Sequence, residues 1–201
     1  IFIAVFCETS LFSIVGLLMA EFGTLYLAAN QAAISFTTLT YTIPWSISLT
    51  ATIVIGYEVG AKNYAVARQY AVLCQLTALF IAIGVTLFTY VFVDDIAAIF
   101  TTDAETLLAL RSFLLCAVAF AFCDAMGTPV QGILRGYKDV RIITYIAFIT
   151  YWFISIPMGY AMAHLTPYGP FGYWLSLIIS LAINAAALNW RLWKQTAWRL
   201  S

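Results

Sequence analysis

Six apolar runs, each about as long as a bilayer-spanning helix needs, follow one another through this chain: roughly 1–20, 27–57, 70–93, 105–134, 142–164 and 171–192. They leave little room for anything else. Of the 201 residues, 64% are hydrophobic and only 9% are charged, against roughly 25% charged in a soluble domain. The surplus of apolar side chains must face lipid, so the expected fold class is an all-α, multi-pass membrane protein. The second and fourth runs are long enough to tilt or kink. Pro44 and the pair Gly127/Pro129 are their expected break points, because proline removes a backbone donor and clashes with the preceding turn.

The connectors sort by charge. Lys62 and Arg68 follow the second run, Arg135, Lys138 and Arg141 the fourth, and Arg191, Lys194 and Arg199 the sixth. The opposite connectors hold Glu21, then Asp94, Asp95, Asp103 and Glu105, then His164. Positive-inside bias makes the basic side cytoplasmic, which puts both ends of the chain there. The remaining basic residue, Arg111, is expected to snorkel from the outer end of the fourth run. Trp190, Trp193 and Trp198 interleave with the last basic residues as an interfacial anchor. "FVDDIAAIFTTDAET" reads as a short amphipathic outer helix, with Thr101 and Thr102 as caps for the next element. The spacing Gly56/Gly60 suits close packing or a helix end. The chain starts inside an apolar run without a signal-peptide pattern, so it is expected to be part of a longer polypeptide.

Several functions are disfavoured. A net charge of zero gives nothing for nucleic acid to bind. The four cysteines (Cys7, Cys74, Cys116, Cys123) form no CxxC pair and read as buried thiols. A single histidine, His164 in an outer loop, makes a metal centre or a His-dependent nucleophile improbable, and no phosphate loop or GxSxG is present. No enzyme and no cofactor are expected.

Two acids do not fit a solvated reading. Glu8 lies in "FIAVFCETSLFSIVGLLMA" and Asp124 in "CAVAFAFCDAMGTPVQG". At 1.5 Å per residue, Glu8 is roughly 20 Å below Glu21 and Asp124 roughly 16 Å above Arg135, near the middle of a core about 30 Å thick. A carboxyl at that depth costs about 2.5–3.5 kcal/mol on insertion scales, and such groups usually mark ion or proton paths. The plain alternative is a protonated carboxyl hydrogen-bonded within the bundle. No Lys or Arg is expected beside the pair, so a bound proton or a sodium ion would remove the charge. Neutral oxygens are at hand. Ser35, Thr38, Thr42 and Ser46 recur at helical spacing on one face, lining a cavity or else hydrogen-bonding between helices. Thr128 and Gln131, one and two turns past Asp124, could line the same cavity.

The stretch "LAANQAAISFTTLTYTIPWSISLTATIVIGYEVGAKNYAVARQYA", with Gln31, Pro44, Ala51, Gly56, Gly60-Ala61 and Ala67-Arg68 in that order, resembles the helix 8 to helix 9 region of multidrug and toxic compound extrusion (MATE) transporters. "GILRGYKDVR", with Arg135-Gly136 and Asp139, resembles the segment after helix 10 of that family. The resemblance covers residues 1–201 as a C-terminal six-helix lobe, helices 7–12 of a twelve-helix protein of the NorM-like branch, whose N-terminal lobe would be the partner of this one. It implies cation-coupled antiport of amphipathic, often cationic drugs out of the cell across a bacterial inner (plasma) membrane. It also implies cation binding by Glu8 and Asp124 with Tyr41 as an aromatic neighbour, and no metal beyond a sodium ion there. Phe120 stands where relatives can carry Tyr. A lipid or lipid-linked-sugar flippase, which typically carries basic residues in its central cavity, a thin membrane-embedded acid-pair enzyme and a structural membrane subunit are the other readings.

Overall fold

The computed structural model describes residues 2–198, with side chains described at Phe6 and from Glu8 to Gln195. Arg199 lies outside the described residues, as do the side chains of Cys7 and Trp198. Every element is helical: α1 (Phe2–Met19), α2 (Thr24–Gly60), α3 (Tyr64–Val91), α4 (Val93–Phe100), α5 (Ala104–Gly136), α6 (Val140–Phe148), α7 (Ile156–Leu165) and α8 (Phe171–Trp198). Five stretches are long and apolar enough to cross a membrane: α2, α3, α5, the joined α6–α7 segment Val140–Leu165, and α8 to Gln195. The 18-residue α1 stands beside them. The expected runs therefore reappear in order, and α4 is the short amphipathic helix, burying Val93, Ile96 and Ala97.

Helix α5 is the hub, packed by α2, α3 and α8. Its seam with α2 is close enough to exclude side chains. A Cβ on Gly132 would stand 2.1 Å from the Ser48 carbonyl oxygen, and one on Gly136 would stand 2.9 Å from Ile55 Cβ. Thr52 Oγ1 donates across the seam to the Gly132 carbonyl at 3.1 Å. Small residues let membrane helices approach to this range, where dispersion and interhelical hydrogen bonds hold them. Gly56 faces Gly136 across the seam and Gly60 ends α2. The tighter GxxxG is the Gly132/Gly136 pair, in "GILRG", which sequence reading used only as a family mark.

Four local expectations are corrected. Both long helices continue as α-helix through Pro44 and Pro129, because neighbouring helices and local adjustment can satisfy the freed backbone groups. The break from α-geometry comes instead as π-turns at Ile149–Ser155, two residues before Pro157. That ring has no N–H to donate and would crowd the Phe153 carbonyl in a regular turn. Asp103, rather than Thr101 or Thr102, caps α5, its Oδ2 accepting from the Thr106 N–H at 3.0 Å and the Thr106 hydroxyl at 2.7 Å. His164 belongs to the last turn of α7, 3.6 Å from Glu21 and beside the tilted Tyr160 ring, with ring centroids 4.3 Å apart.

The two basic turns share one construction. In "GAKN" and "GYKD" a lysine adopts positive φ, 61° at Lys62 and 64° at Lys138. The next residue's N–H reaches back five residues, from Asn63 to Glu58 and from Asp139 to Leu134, both at 2.9 Å. This is the Schellman closure, usually made with glycine. Cys74, Cys116 and Cys123 are half-buried free thiols, and Arg111 reaches Asp94 on α4 at 3.1 Å.

Candidate functional site

Asp124 is 3% exposed, on the face of α5 turned into the bundle. One turn on, Thr128 Oγ1 donates to Asp124 Oδ1 at 2.7 Å; residues four apart on a helix meet in this way. The same stripe continues through Gln131 to Arg135, whose Nη2 donates to Gln131 Oε1 at 3.3 Å. A carboxylate, a hydroxyl, an amide and a guanidinium thus follow one another down a single buried face.

Glu8, on α1, is half-buried and opens on a cavity of about 230 Å³ that it shares with Thr9, Phe12, Thr38, Tyr41 and Trp45. Asp124 lines a narrower cavity beside it with Thr40, Tyr41 and Pro44. Thr37, Tyr41 and Phe120 belong to both. Tyr41 is the joint: it lines the cavities of both acids. The acids therefore meet around Tyr41, with Thr128 hydrogen-bonded to Asp124, on side chains contributed by α1, α2 and α5. A third, smaller cavity joins Glu8 to Tyr151 of the π-turns and to Ser180 of α8.

The hydroxyl stripe of α2 behaves differently from these groups. Ser35, Thr38, Thr42 and Ser46 are exposed, and each donates to the carbonyl four residues back, at 2.9, 2.9, 3.3 and 2.8 Å. A hydroxyl that spends its only proton on its own helix presents only lone pairs outward. Of this stripe Thr38 lines the Glu8 cavity, whereas Ser35 and Thr42 line none of the three cavities around the acids. Thr37 and Thr40, unmarked by sequence reading, do line them. Gln131 is buried against Arg135 rather than facing a cavity.

Arg135 corrects the expectation that no cation stands near the acids. In sequence it follows the fourth run among the basic connector residues, yet it is 8% exposed, with its guanidinium carbon 5.5 Å from the centre of the Trp45 ring. Trp45 in turn lines the Glu8 cavity, so the guanidinium stands behind that cavity's aromatic wall. The signal was present in the spacing: Asp124, Thr128, Gln131 and Arg135 recur at steps of four, three and four, one face of one helix.

Residues 1–161 match the family model MatE. The chain belongs to the MatE family. Similar proteins include those named "Probable multidrug resistance protein NorM" from Halalkalibacterium halodurans, 44% identical over 188 residues, and from Bacillus cereus, 45% identical over 191 residues. These alignments cover 94% and 95% of this chain but 41% and 42% of those proteins, so the chain spans less than half the length of the relatives it matches. Among solved structures, the eukaryotic MATE transporter AtDTX14 is similar with a TM-score of 0.87 at 19% identity, over 94% of this chain and 44% of that one. An outward-facing multidrug resistance MATE transporter gives 0.85 at 18% identity, over 100% of this chain and 44% of that one. At such identities these structures speak for the fold alone, that of one half of the solved MATE chains. Within the MATE half, α5 is the element that carries both the tight glycine seam and the buried polar stripe.

Proposed function

We propose that this chain is the C-terminal lobe, helices 7–12, of a MATE exporter that exchanges a coupling cation, Na+ or H+, for amphipathic and often cationic organic compounds. The observation that carries this reading is that the cavities of Glu8 and Asp124 adjoin and share Thr37, Tyr41 and Phe120. In a membrane interior an isolated carboxylate is costly, and two of them beside the Tyr41 and Thr128 hydroxyls form a set of oxygens suited to one small cation. Such a cation cancels charge and alters how α1 sits against α2 and α5. A drug competes with it, directly or through that shift, and the lobes rock around a midplane site. The outward-facing lone pairs of Ser35, Thr38, Thr42 and Ser46 suit substrates that bring their own N–H donors. The N-terminal lobe of the same polypeptide would close the substrate site, both described ends would face the cytoplasm, and the setting would be a bacterial inner membrane.

Cells expressing the full-length transporter would be assayed for ethidium or norfloxacin efflux. Glu8→Gln and Asp124→Asn are each expected to reach the membrane and lose coupled efflux. Undiminished efflux in both rejects the cation site. Transport measured with and without sodium at fixed pH then separates the two candidate ions.

A further inference from the structure

The deep charges of this lobe form a short ledger. Among the described residues, Asp124 and Arg135 are the ionisable side chains of Asp, Glu, Lys and Arg that are buried outright; half-buried Glu8 adjoins Asp124 through Tyr41 and Arg135 through Trp45, which lines the Glu8 cavity. The remaining ionic groups with partners lie elsewhere: Asp139 holds Arg191 at 2.6 Å, Arg111 holds Asp94 at 3.1 Å, and Glu21 meets His164 at 3.6 Å. Arg135 itself has no carboxylate partner within ion-pair distance among these contacts. Its partners are an amide, Gln131, and an aromatic face, Trp45, which hold a guanidinium without neutralising it. The side chain is thus held as a positive charge without an ion-pair partner behind Trp45, which lines the Glu8 cavity.

Building on the antiport reading above, we propose that Arg135 is a tethered counter-charge that sets the coupling stoichiometry at one monovalent cation. Two carboxylates and one guanidinium leave a single negative charge. One sodium ion or one proton brings the set to neutrality, and a second would create a net positive charge in a low-dielectric setting, which is costly. Arginine suits the role because it stays protonated at any working pH and so never enters the exchange itself. Glu8 shares Trp45 with Arg135 and Tyr41 with Asp124, so loading it with a cation bears on the inner end of α5, where Arg135 sits one residue before Gly136 at the helix end.

The test counts cation equivalents, sodium plus protons, released from the purified full-length transporter when a saturating cationic drug such as ethidium binds. The wild type is expected to release one. Arg135→Lys keeps the charge and is expected to release one, Arg135→Gln two, and Asp124→Asn none. The double substitution Asp124→Asn/Arg135→Gln restores a net single negative charge and is expected to regain one equivalent, a rescue that a purely structural role for Arg135 would not give. Two equivalents from the wild type overturn the proposal without any variant that must fold, and one equivalent from Arg135→Gln overturns it as well. Failure of the underlying antiport reading looks different: the wild type then releases nothing on drug binding.

Discussion

Glu8 and Asp124 carry the same functional group on two kinds of support. Asp124 belongs to α5, which α2, α3 and α8 enclose, and its carboxyl is fixed by Thr128. Glu8 belongs to α1, which meets α2, α6 and the π-turns along one flank and leaves the carboxyl facing an open cavity. Their glycines show the same contrast. A Cβ on Gly132 of α5 would fall 2.1 Å from backbone, while one on Gly16 of α1 meets nothing within 4 Å. A site that must both hold a cation and report its arrival gains from this asymmetry: one carboxylate is positioned by the core and the other rides on a helix packed along one flank.

The largest effects come from swapping the acids in ways that respect or violate that contrast. Beyond the amide substitutions, Asp124→Glu adds a methylene to a packed face and is expected to lose coupled efflux as fully as Asp124→Asn. Glu8→Asp, on the freer helix, is expected to keep measurable efflux with a weakened apparent cation affinity. Equal tolerance at both positions breaks the comparison. Next come the glycines. Gly132→Ala forces the α2–α5 seam apart and is expected to cost about 3 kcal/mol or more, seen as loss of folded protein in detergent thermostability. Gly16→Ala is expected to be neutral or to stabilise by up to about 1 kcal/mol.

A smaller effect is expected at Thr128. Removing its hydroxyl with Thr128→Val leaves Asp124 without its donor, and a hydrogen bond to a charged group is worth about 1.5–3 kcal/mol. Apparent cation affinity should fall by roughly tenfold or more, with Thr128→Ser restoring most of it. The smallest effect is at the outer start of α5. Thr106 holds the Asp103 carboxyl below its ordinary pKa through its hydroxyl and its backbone N–H. A lowered folded-state value means the cap contributes at neutral pH and is lost as pH falls through that value. Asp103→Ala should speed amide exchange over residues 104–108 at neutral pH, with the difference shrinking in acid.

The fold was legible because lipid imposes a simple rule: long apolar runs and basic connectors gave the helices, their order and the outer amphipathic α4. The two acids were legible for the same reason, as charges where charge is expensive. What escaped were properties of contact rather than of composition. Arg135 reads as a connector residue until α5 is seen to keep its inner end buried, so that the guanidinium turns onto Trp45 instead of reaching water. The stripe Ser35, Thr38, Thr42 and Ser46 reads as a cavity lining, but helix spacing does not say which side α1 covers, and the lining falls partly to Thr37 and Thr40. The π-turns before Pro157 follow from a missing N–H whose local remedy no pattern dictates. Tyr41 entered only through family resemblance, because a tyrosine among apolar residues has no pattern of its own.

The most direct test of a shared site is a double-substitution cycle in cation binding. Cation uptake by the full-length transporter would be titrated for the wild type, Glu8→Gln, Asp124→Asn and the two combined. A site formed jointly predicts that each single substitution removes uptake and that the double is no worse than either, a strongly non-additive result. If each single variant retains its own independent cation and the losses simply add, the two carboxylates do not act on one ion, and the account fails.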